Sequence, residues 1–123
     1  MKYIVTLCLS LVFFASQAQE VVSSYETQDT FEAKSQKLTT YYDQELGLDA
    51  DQRVLFQKKV EEYLILQQEA KDQLAGREEL EKLYQLQLDE IRDMQDILTR
   101  IQWNKYKKIR PTKQALKITT DRQ

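Results

Sequence analysis

Two five-residue strings decide how this chain folds: LDADQ at 48–52 and LTRIQ at 98–102. In each string the second residue, Asp49 or Thr99, is a strong helix N-cap, because its side-chain oxygen accepts the backbone N–H three residues later. The closing glutamine, Gln52 or Gln102, reaches back to the N–H of the capping residue and completes a capping box. The strings therefore predict two helix starts that lie 50 positions apart.

Each cap is preceded by a leucine, Leu48 or Leu98, that is placed to pack onto the new helix. At the second site Trp103 occupies the position that a hydrophobic staple uses. The helix that starts at Asp49 is predicted to run to about Ala75. Its apolar residues alternate in steps of four and three, the spacing of a seam against another helix: Phe56, Val60, Tyr63, Ala70 and Leu74.

A break at Gly76 separates this helix from the next in the favoured interpretation, which makes the two an antiparallel pair. The alternative is one long helix that tolerates the glycine. The third helix then places its apolar residues along one side, and these are Leu80, Leu83, Tyr84, Leu88, Ile91, Met94 and Ile97.

Capping residues and helix-ending residues predict the first and the last helix. Asp29 or Thr30 is predicted to cap a first helix that ends at Gly47, since glycine takes the left-handed conformation of a helix C-terminus. A fourth, short helix carries Trp103 and Tyr106 and is predicted to end before Pro111, because the residue preceding proline is pushed out of the α region. With only two glycines and one proline in 123 residues, the composition also favours helix throughout.

We therefore expect an all-α fold, a small antiparallel hairpin or bundle of three to four helices. Whether it forms a homodimer stays open. The helical domain is predicted to span 29–111, after a flexible leader at 19–28 and before a flexible basic tail at 112–123.

The first eighteen residues have the pattern of a cleaved secretory signal peptide. Lys2 precedes an apolar run that is shorter than the roughly 20 residues needed to span a bilayer, and Ser16 and Ala18 form a small-x-small cleavage site. The single cysteine, Cys8, lies in this run without the small residues that precede a lipidated cysteine. The sequence thus predicts a periplasmic protein with a signal peptide at 1–18 and a mature chain at 19–123. The mature chain contains no cysteine, so it has neither a disulfide nor a thiol.

Charge and composition exclude several function classes. The formal net charge of −2 argues against a nucleic-acid binder. Without histidine, a cysteine outside 1–18 or a glycine-rich phosphate loop, we expect no enzyme, no cofactor and no metal site. Residues 100–117 contain seven basic side chains and no acidic one. This bias either complements the dipole of the last helix or provides a contact surface for acidic partners or anionic lipid.

Paired strings of this kind resemble the L-T-x-x-Q family of periplasmic proteins, the Spy/CpxP-like chaperones and envelope-stress proteins. LTRIQ matches the family string fully, and LDADQ has Asp49 in place of the threonine. The segment 97–106 closely resembles the entry to the family's last helix, and the resemblance covers roughly 46–110. It implies an envelope protein that binds other polypeptides without ATP. The absence of histidine sets aside the metal-sensing branch.

Two kinds of partner follow from this resemblance: non-native polypeptides, bound as by a chaperone, or an envelope sensor such as a sensor kinase or an anti-sigma factor that the protein regulates. A structural helical envelope protein is a third hypothesis. A polypeptide-binding surface would combine aromatic rings with basic side chains, although the same rings also suit a hairpin core. The candidates are Tyr63, Tyr84, Trp103, Lys105, Tyr106, Lys107 and Lys108.

Overall fold

The computed structural model describes residues 15–116, with side-chain surroundings from Thr30 onward. Four α-helices make up this part of the chain, and it contains no strand. The predicted all-α fold is confirmed. In chain order the helices are α1 (Ala15–Leu46), α2 (Ala50–Gln73), α3 (Gly76–Met94) and α4 (Arg100–Lys113).

The first helix starts earlier than the sequence predicts. The start at Asp29 or Thr30 is wrong, because α1 is already helical from Ala15, and the predicted leader 19–28 lies within it. No glycine or proline interrupts this helix. A capping residue acts as a start only where its own backbone leaves the helix, and its side chain alone does not impose that departure.

The predicted signal peptide falls largely outside the described residues, so it and its cleavage after Ala18 remain predictions. No helix within residues 15–116 is long and apolar enough to cross a membrane. The chain divides into two compact units after Glu32. The second unit, from Ala33 onward, contains every contact described below.

Two glycines end or start helices where the sequence predicts. Gly47 has φ +68, and its N–H donates to the Asp43 carbonyl at 2.8 Å. At the other site α2 ends at Gln73, the two residues Leu74 and Ala75 are extended, and Gly76 has φ +60. The predicted break is confirmed, and the alternative of one long helix is wrong. Because only two residues connect α2 and α3, the two form a helical hairpin.

The main core lies where α1, α2 and α4 meet the end of α3. Three aromatic rings form its centre: the Tyr42 ring lies 5.3 Å from Phe56 and 5.2 Å from Tyr106, and Phe56 lies 5.7 Å from Tyr106. These are tilted and edge-to-face contacts, the geometries that aromatic pairs prefer. The buried residues of this cluster are Tyr42, Phe56, Val60, Met94, Leu98 and Tyr106.

The predicted seam of α2 is confirmed. Phe56, Val60, Tyr63 and Ala70 are all buried, while Leu74 is half-buried at the helix end. The part of this seam nearer the C-terminus of α2 belongs to a second cluster, in which Tyr63 and Ala70 pack with residues of α3. Its buried members are Tyr63, Ala70, Leu83 and Leu86.

The buried side of α3 is not the one that the sequence predicts. Of the seven predicted apolar residues only Leu83 and Met94 are buried, while Leu80, Tyr84 and Leu88 remain 40%, 53% and 42% exposed. The apolar sector of α3 is wider than the surface against which it packs. Polar side chains on the packed side complete the buried face, which consists of Glu79, Leu83, Leu86, Gln87, Glu90 and Met94.

The predicted helix end before Pro111 is also wrong, because α4 continues through Pro111 to Lys113. The Gln114 N–H donates to the Arg110 carbonyl at 2.9 Å and closes the turn around the proline. Arg110, whose helical conformation the proline disfavours, is fixed by an ion pair with Glu90 in which both side chains are 1% exposed. This tertiary contact outweighs the local preference.

The chain beyond α4 is packed as far as it is described. The predicted flexible tail starts at 112, but Gln114 accepts a hydrogen bond from the Tyr42 hydroxyl at 2.8 Å, and Leu116 packs against the second cluster. The predicted tail therefore includes residues that contact the helices, as far as Leu116. Residues 117–123 lie outside the described part of the chain.

Candidate functional site

Both capping boxes form as predicted. The Asp49 carboxylate accepts the Gln52 N–H at 2.7 Å, and the Gln52 side-chain oxygen accepts the Asp49 N–H at 3.0 Å. At the second string Thr99 Oγ1 accepts the Gln102 N–H at 3.3 Å, and Gln102 Oε1 accepts the Thr99 N–H at 3.0 Å. Each box satisfies N–H groups that the first turn of a helix leaves without intrahelical acceptors.

The two boxes also contact each other, which the sequence does not show. Gln52 Nε2 donates to Gln102 Oε1 at 2.8 Å, and Gln102 Nε2 donates back at 3.3 Å. Gln52 Nε2 further donates to the Ile97 carbonyl, while Gln102 Nε2 donates to the carbonyls of Leu46 and Gly47. The strings at 48–52 and 98–102 thus form a single junction, which we call the glutamine junction, and their polar groups are engaged inside the fold.

A buried polar cluster joins α3 to α4. Glu90 Oε2 accepts from Arg110 Nη2 at 3.3 Å, and Glu90 Oε1 accepts from the Tyr106 hydroxyl at 3.1 Å. Arg110 Nη1 donates to the Gln114 carbonyl at 3.0 Å, whereas Arg110 Nε has no hydrogen-bond partner among the described residues. Hydrophobic spacing in the sequence does not predict this pair. The available signal was that Glu90 shares a helix side with Leu83, Leu86 and Met94.

The electrostatics of this cluster follow from its burial. Desolvation raises the pKa of the Glu90 carboxyl above its ordinary value, and the attraction of Arg110 opposes part of that rise. Desolvation also raises the pKa of the Tyr106 hydroxyl, with a further contribution from the Glu90 charge. Both charged side chains are 1% exposed, so the cluster acts as an internal support between α3 and α4.

The predicted polypeptide-binding residues do not lie together. Tyr63 and Tyr106 are interior, at 6% and 0% exposure, so their assignment to a contact surface is wrong. The Tyr63 hydroxyl donates to Asp93 Oδ2 at 2.6 Å across the hairpin, and burial followed by this bond raises its pKa. Both rings contribute the aromatic area that the core needs, and they leave Tyr84 and Trp103 as the aromatic candidates at the surface.

Tyr84 lies on an exposed apolar surface of α3. Leu80, Tyr84 and Leu88 follow one another at intervals of four residues, so they share one side of the helix over roughly 12 Å. We call these three residues the α3 stripe. Charged pairs border it: Arg77 Nε lies 3.0 Å from Glu81 Oε1, and Arg92 Nη2 lies 2.8 Å from Asp89 Oδ1.

Trp103 lies at an open cleft of about 610 Å³ at the start of α4, which we call the basic cleft. Its indole Nε1 donates to the Ile91 carbonyl at 2.8 Å, and Lys107 Nζ lies 3.6 Å above the ring. The charged side chains of the lining are both cations. The lining consists of Gln95, Leu98, Arg100, Trp103, Asn104 and Lys107.

The remaining predicted lysines lie outside this cleft. Lys105 Nζ donates to the Glu45 carbonyl at 2.6 Å and lies 3.7 Å from its carboxylate, so its charge is partly compensated. Lys108 is exposed on the outer side of α4. Of the predicted candidates, the structure therefore places only Trp103 and Lys107 side by side.

Within residues 15–116 no three carboxylate, histidine or cysteine side chains are grouped so that they could hold a metal ion. Comparisons with protein-family models, with curated proteins and with solved structures found no match. The resemblance to the L-T-x-x-Q family is thus carried by the strings at 48–52 and 98–102 and the sequence around them.

Proposed function

We propose that this protein is an ATP-independent, chaperone-like protein of the bacterial envelope that binds non-native polypeptides on the α3 stripe. The observation that carries the proposal is the exposure of Leu80, Tyr84 and Leu88 side by side on a well-formed helix. A contiguous row of exposed apolar side chains marks an interaction site more often than singly scattered ones do.

The chemistry of the stripe suits clients of varied sequence. It is a shallow row of a ring and two aliphatic side chains, with no enclosed pocket that would select one side chain. The bordering Arg77 and Arg92 are 91% and 69% exposed, and each pairs with a carboxylate on its own helix. Exposed pairs of this kind contribute little energy, so they are free to pair with charges on a bound chain. Promiscuous binders use adaptable surfaces in the same way.

The residues proposed to bind polypeptides are different from those that stabilise the fold. The stripe residues lie outside both buried clusters, and the caps, the glutamine junction and the Glu90–Arg110 pair hold α3 in place without them. A bound polypeptide could therefore cover the stripe without rearrangement of the core.

The test is suppression of aggregation of chemically different denatured proteins without nucleotide. The wild-type protein at several-fold excess should slow light scattering, and the variant Leu80→Gln/Tyr84→Ser/Leu88→Gln should not. The matched control is Val54→Gln/Leu55→Gln/Ile65→Gln, which removes three exposed apolar side chains of α2 and should retain activity. Equal loss in both variants, or no suppression by the wild-type protein, would contradict the proposal.

A second candidate function is regulation of an envelope sensor, and the charge of α4 favours it. No acidic side chain occurs in α4, so a complementary acidic domain would be attracted to it. Salt distinguishes the two functions, because steering between exposed charges weakens at high ionic strength, whereas apolar binding to the stripe persists.

A further inference from the structure

The α3 stripe and the basic cleft lie in line on one side of α3. Leu80, Tyr84, Leu88, Ile91 and Gln95 are separated by steps of four, four, three and four residues, the spacing of a single helix side. Gln95 keeps helical dihedral angles, φ −60 and ψ −31, and it lines the basic cleft. A line of about 22 Å, which we call the track, therefore runs from Leu80, past Ile91, which is half-buried against the main core, to the cleft.

Trp103 fixes the start of α4 beside this track. Its hydrogen bond to the Ile91 carbonyl holds the indole against the end of α3 at 2.8 Å. Because Thr99 caps α4 one turn earlier, Arg100 and Lys107 are brought to the same opening. The track thus changes from apolar to cationic at a fixed place, which a flexible surface would not achieve.

The opening favours anions. Arg100 and Lys107 are the charged residues of its lining, and the N-terminus of α4 adds the positive end of a helix dipole. Lys107 lies over the Trp103 ring, which holds its ammonium group at the mouth. A guanidinium group can bind a carboxylate through two parallel hydrogen bonds.

Resting on the proposed function, we infer that the preferred clients are polypeptide segments in which a row of apolar residues adjoins Asp or Glu. The apolar residues contact the α3 stripe, and the acidic side chains bind Arg100 and Lys107 in the basic cleft. An anionic bilayer would instead meet the outer side of α4, where Ile101 is 84% exposed and Lys108 is also exposed. The alignment of stripe and cleft favours a chain that runs along both.

Trp103 is the single tryptophan of the chain, so its fluorescence reports occupation of the cleft directly. The probes are amidated, tryptophan-free peptides of about 18 residues, long enough as a helix to cover the track. All three peptides contain the same amphipathic segment with its apolar residues. The first carries three glutamates at its N-terminal end, the second carries them at its C-terminal end, and the third has glutamines in place of the glutamates. Amidation removes the terminal carboxylate as a second anion source.

We expect one of the two glutamate peptides to bind about three- to ten-fold more tightly than the glutamine peptide at low salt, the gain typical of exposed charge pairs. The variant Arg100→Gln/Lys107→Gln should abolish this difference. The control Lys58→Gln/Lys108→Gln makes the same change in net charge at exposed positions outside the cleft and should preserve it. Anisotropy of labelled peptides gives the affinity where Lys107→Gln alters the fluorescence of Trp103.

The outcomes separate this inference from the proposed function. If the glutamine peptide binds as tightly as both glutamate peptides and the stripe variant loses all three, the client preference is wrong and the chaperone proposal stands. A glutamate advantage that survives Arg100→Gln/Lys107→Gln contradicts the assignment to the cleft. Cleft-dependent binding to phosphatidylglycerol vesicles without any peptide preference would replace the inference with a membrane site. If no peptide binds and aggregation is unaffected, both proposals are wrong.

Discussion

Gln52 and Gln102 exchange side-chain hydrogen bonds, at 2.8 Å in one direction and 3.3 Å in the other, although 50 residues separate them along the chain. Each amide at the same time caps its own helix and donates to a carbonyl beside the opposite string. The two helix starts are therefore not independent. They stabilise one another.

Truncation at either glutamine tests this coupling. Gln52→Ala and Gln102→Ala should each lower the free energy of unfolding by about 2 kcal/mol, since each leaves partly buried partners without hydrogen bonds. The double variant should lose about 1 kcal/mol less than the sum, because contacting pairs are not additive. Urea denaturation followed by circular dichroism measures all three. Strict additivity would mean that the side chains act only within their own caps.

Loss of either cap alone should be milder. Thr99→Ala and Asp49→Ala should each cost about 1 kcal/mol, the usual effect of removing an N-cap side chain, while Thr99→Asp should be close to neutral. Thermal melts provide the comparison. Unchanged melting of both alanine variants would show that the hydrogen bonds at 3.3 Å and 2.7 Å contribute nothing to stability.

The buried Glu90–Arg110 pair predicts a reversal between single and double variants. Glu90→Leu or Arg110→Leu alone should cost about 3–5 kcal/mol, because the remaining charge stays buried and unpaired. Glu90→Leu/Arg110→Leu should recover most of that loss, as apolar replacement of a buried pair often does. Chemical denaturation of the three variants measures the cycle. A double variant that is less stable than both singles would contradict this account.

The interior tyrosines predict sensitivity to alkali. Burial raises the pKa of Tyr42, Tyr63 and Tyr106 above the ordinary value of about 10. A folded-state pKa above the unfolded one means that their contribution to stability is complete below the unfolded pKa and is lost as pH rises toward the folded one. Unfolding between the two should coincide with tyrosinate absorbance. Full ionisation of all tyrosines while the helical signal persists would contradict this.

Local signals in the sequence are sufficient for the helix boundaries at two glycines and at two side-chain caps, though not for those at Asp29 or Thr30 and at Pro111. Gly47 and Gly76 take the positive φ angles that break α1 from α2 and α2 from α3, and Asp49 and Thr99 supply side-chain caps. The seam of α2 was equally clear, because Phe56, Val60, Tyr63 and Ala70 follow one spacing. These features need no knowledge of distant parts of the chain.

Features that depend on pairing between helices were not predicted. The buried side of α3 carries the polar side chains Glu79, Gln87 and Glu90, whereas hydrophobic spacing alone favours the wider apolar sector that includes Tyr84 and Leu88. The ion pair between Glu90 and Arg110 holds Arg110 helical before Pro111, against its local preference. For the candidate site, the list of aromatic residues contained Tyr84 and Trp103 but could not separate them from the interior Tyr63 and Tyr106.

The glutamine junction has a consequence for how this fold can change. Because 48–52 and 98–102 are in contact, the start of α2 and the start of α4 lie side by side. The α2–α3 hairpin is therefore a loop of chain whose two ends are joined at the glutamine junction. The hairpin can become longer or shorter by equal numbers of helical turns in α2 and α3 while the contact between Gln52 and Gln102 is kept. On the proposed function, a longer hairpin would present a longer stripe from the same base, so paired insertions near 74–76 would adjust the capacity for larger clients and leave the glutamine junction unchanged.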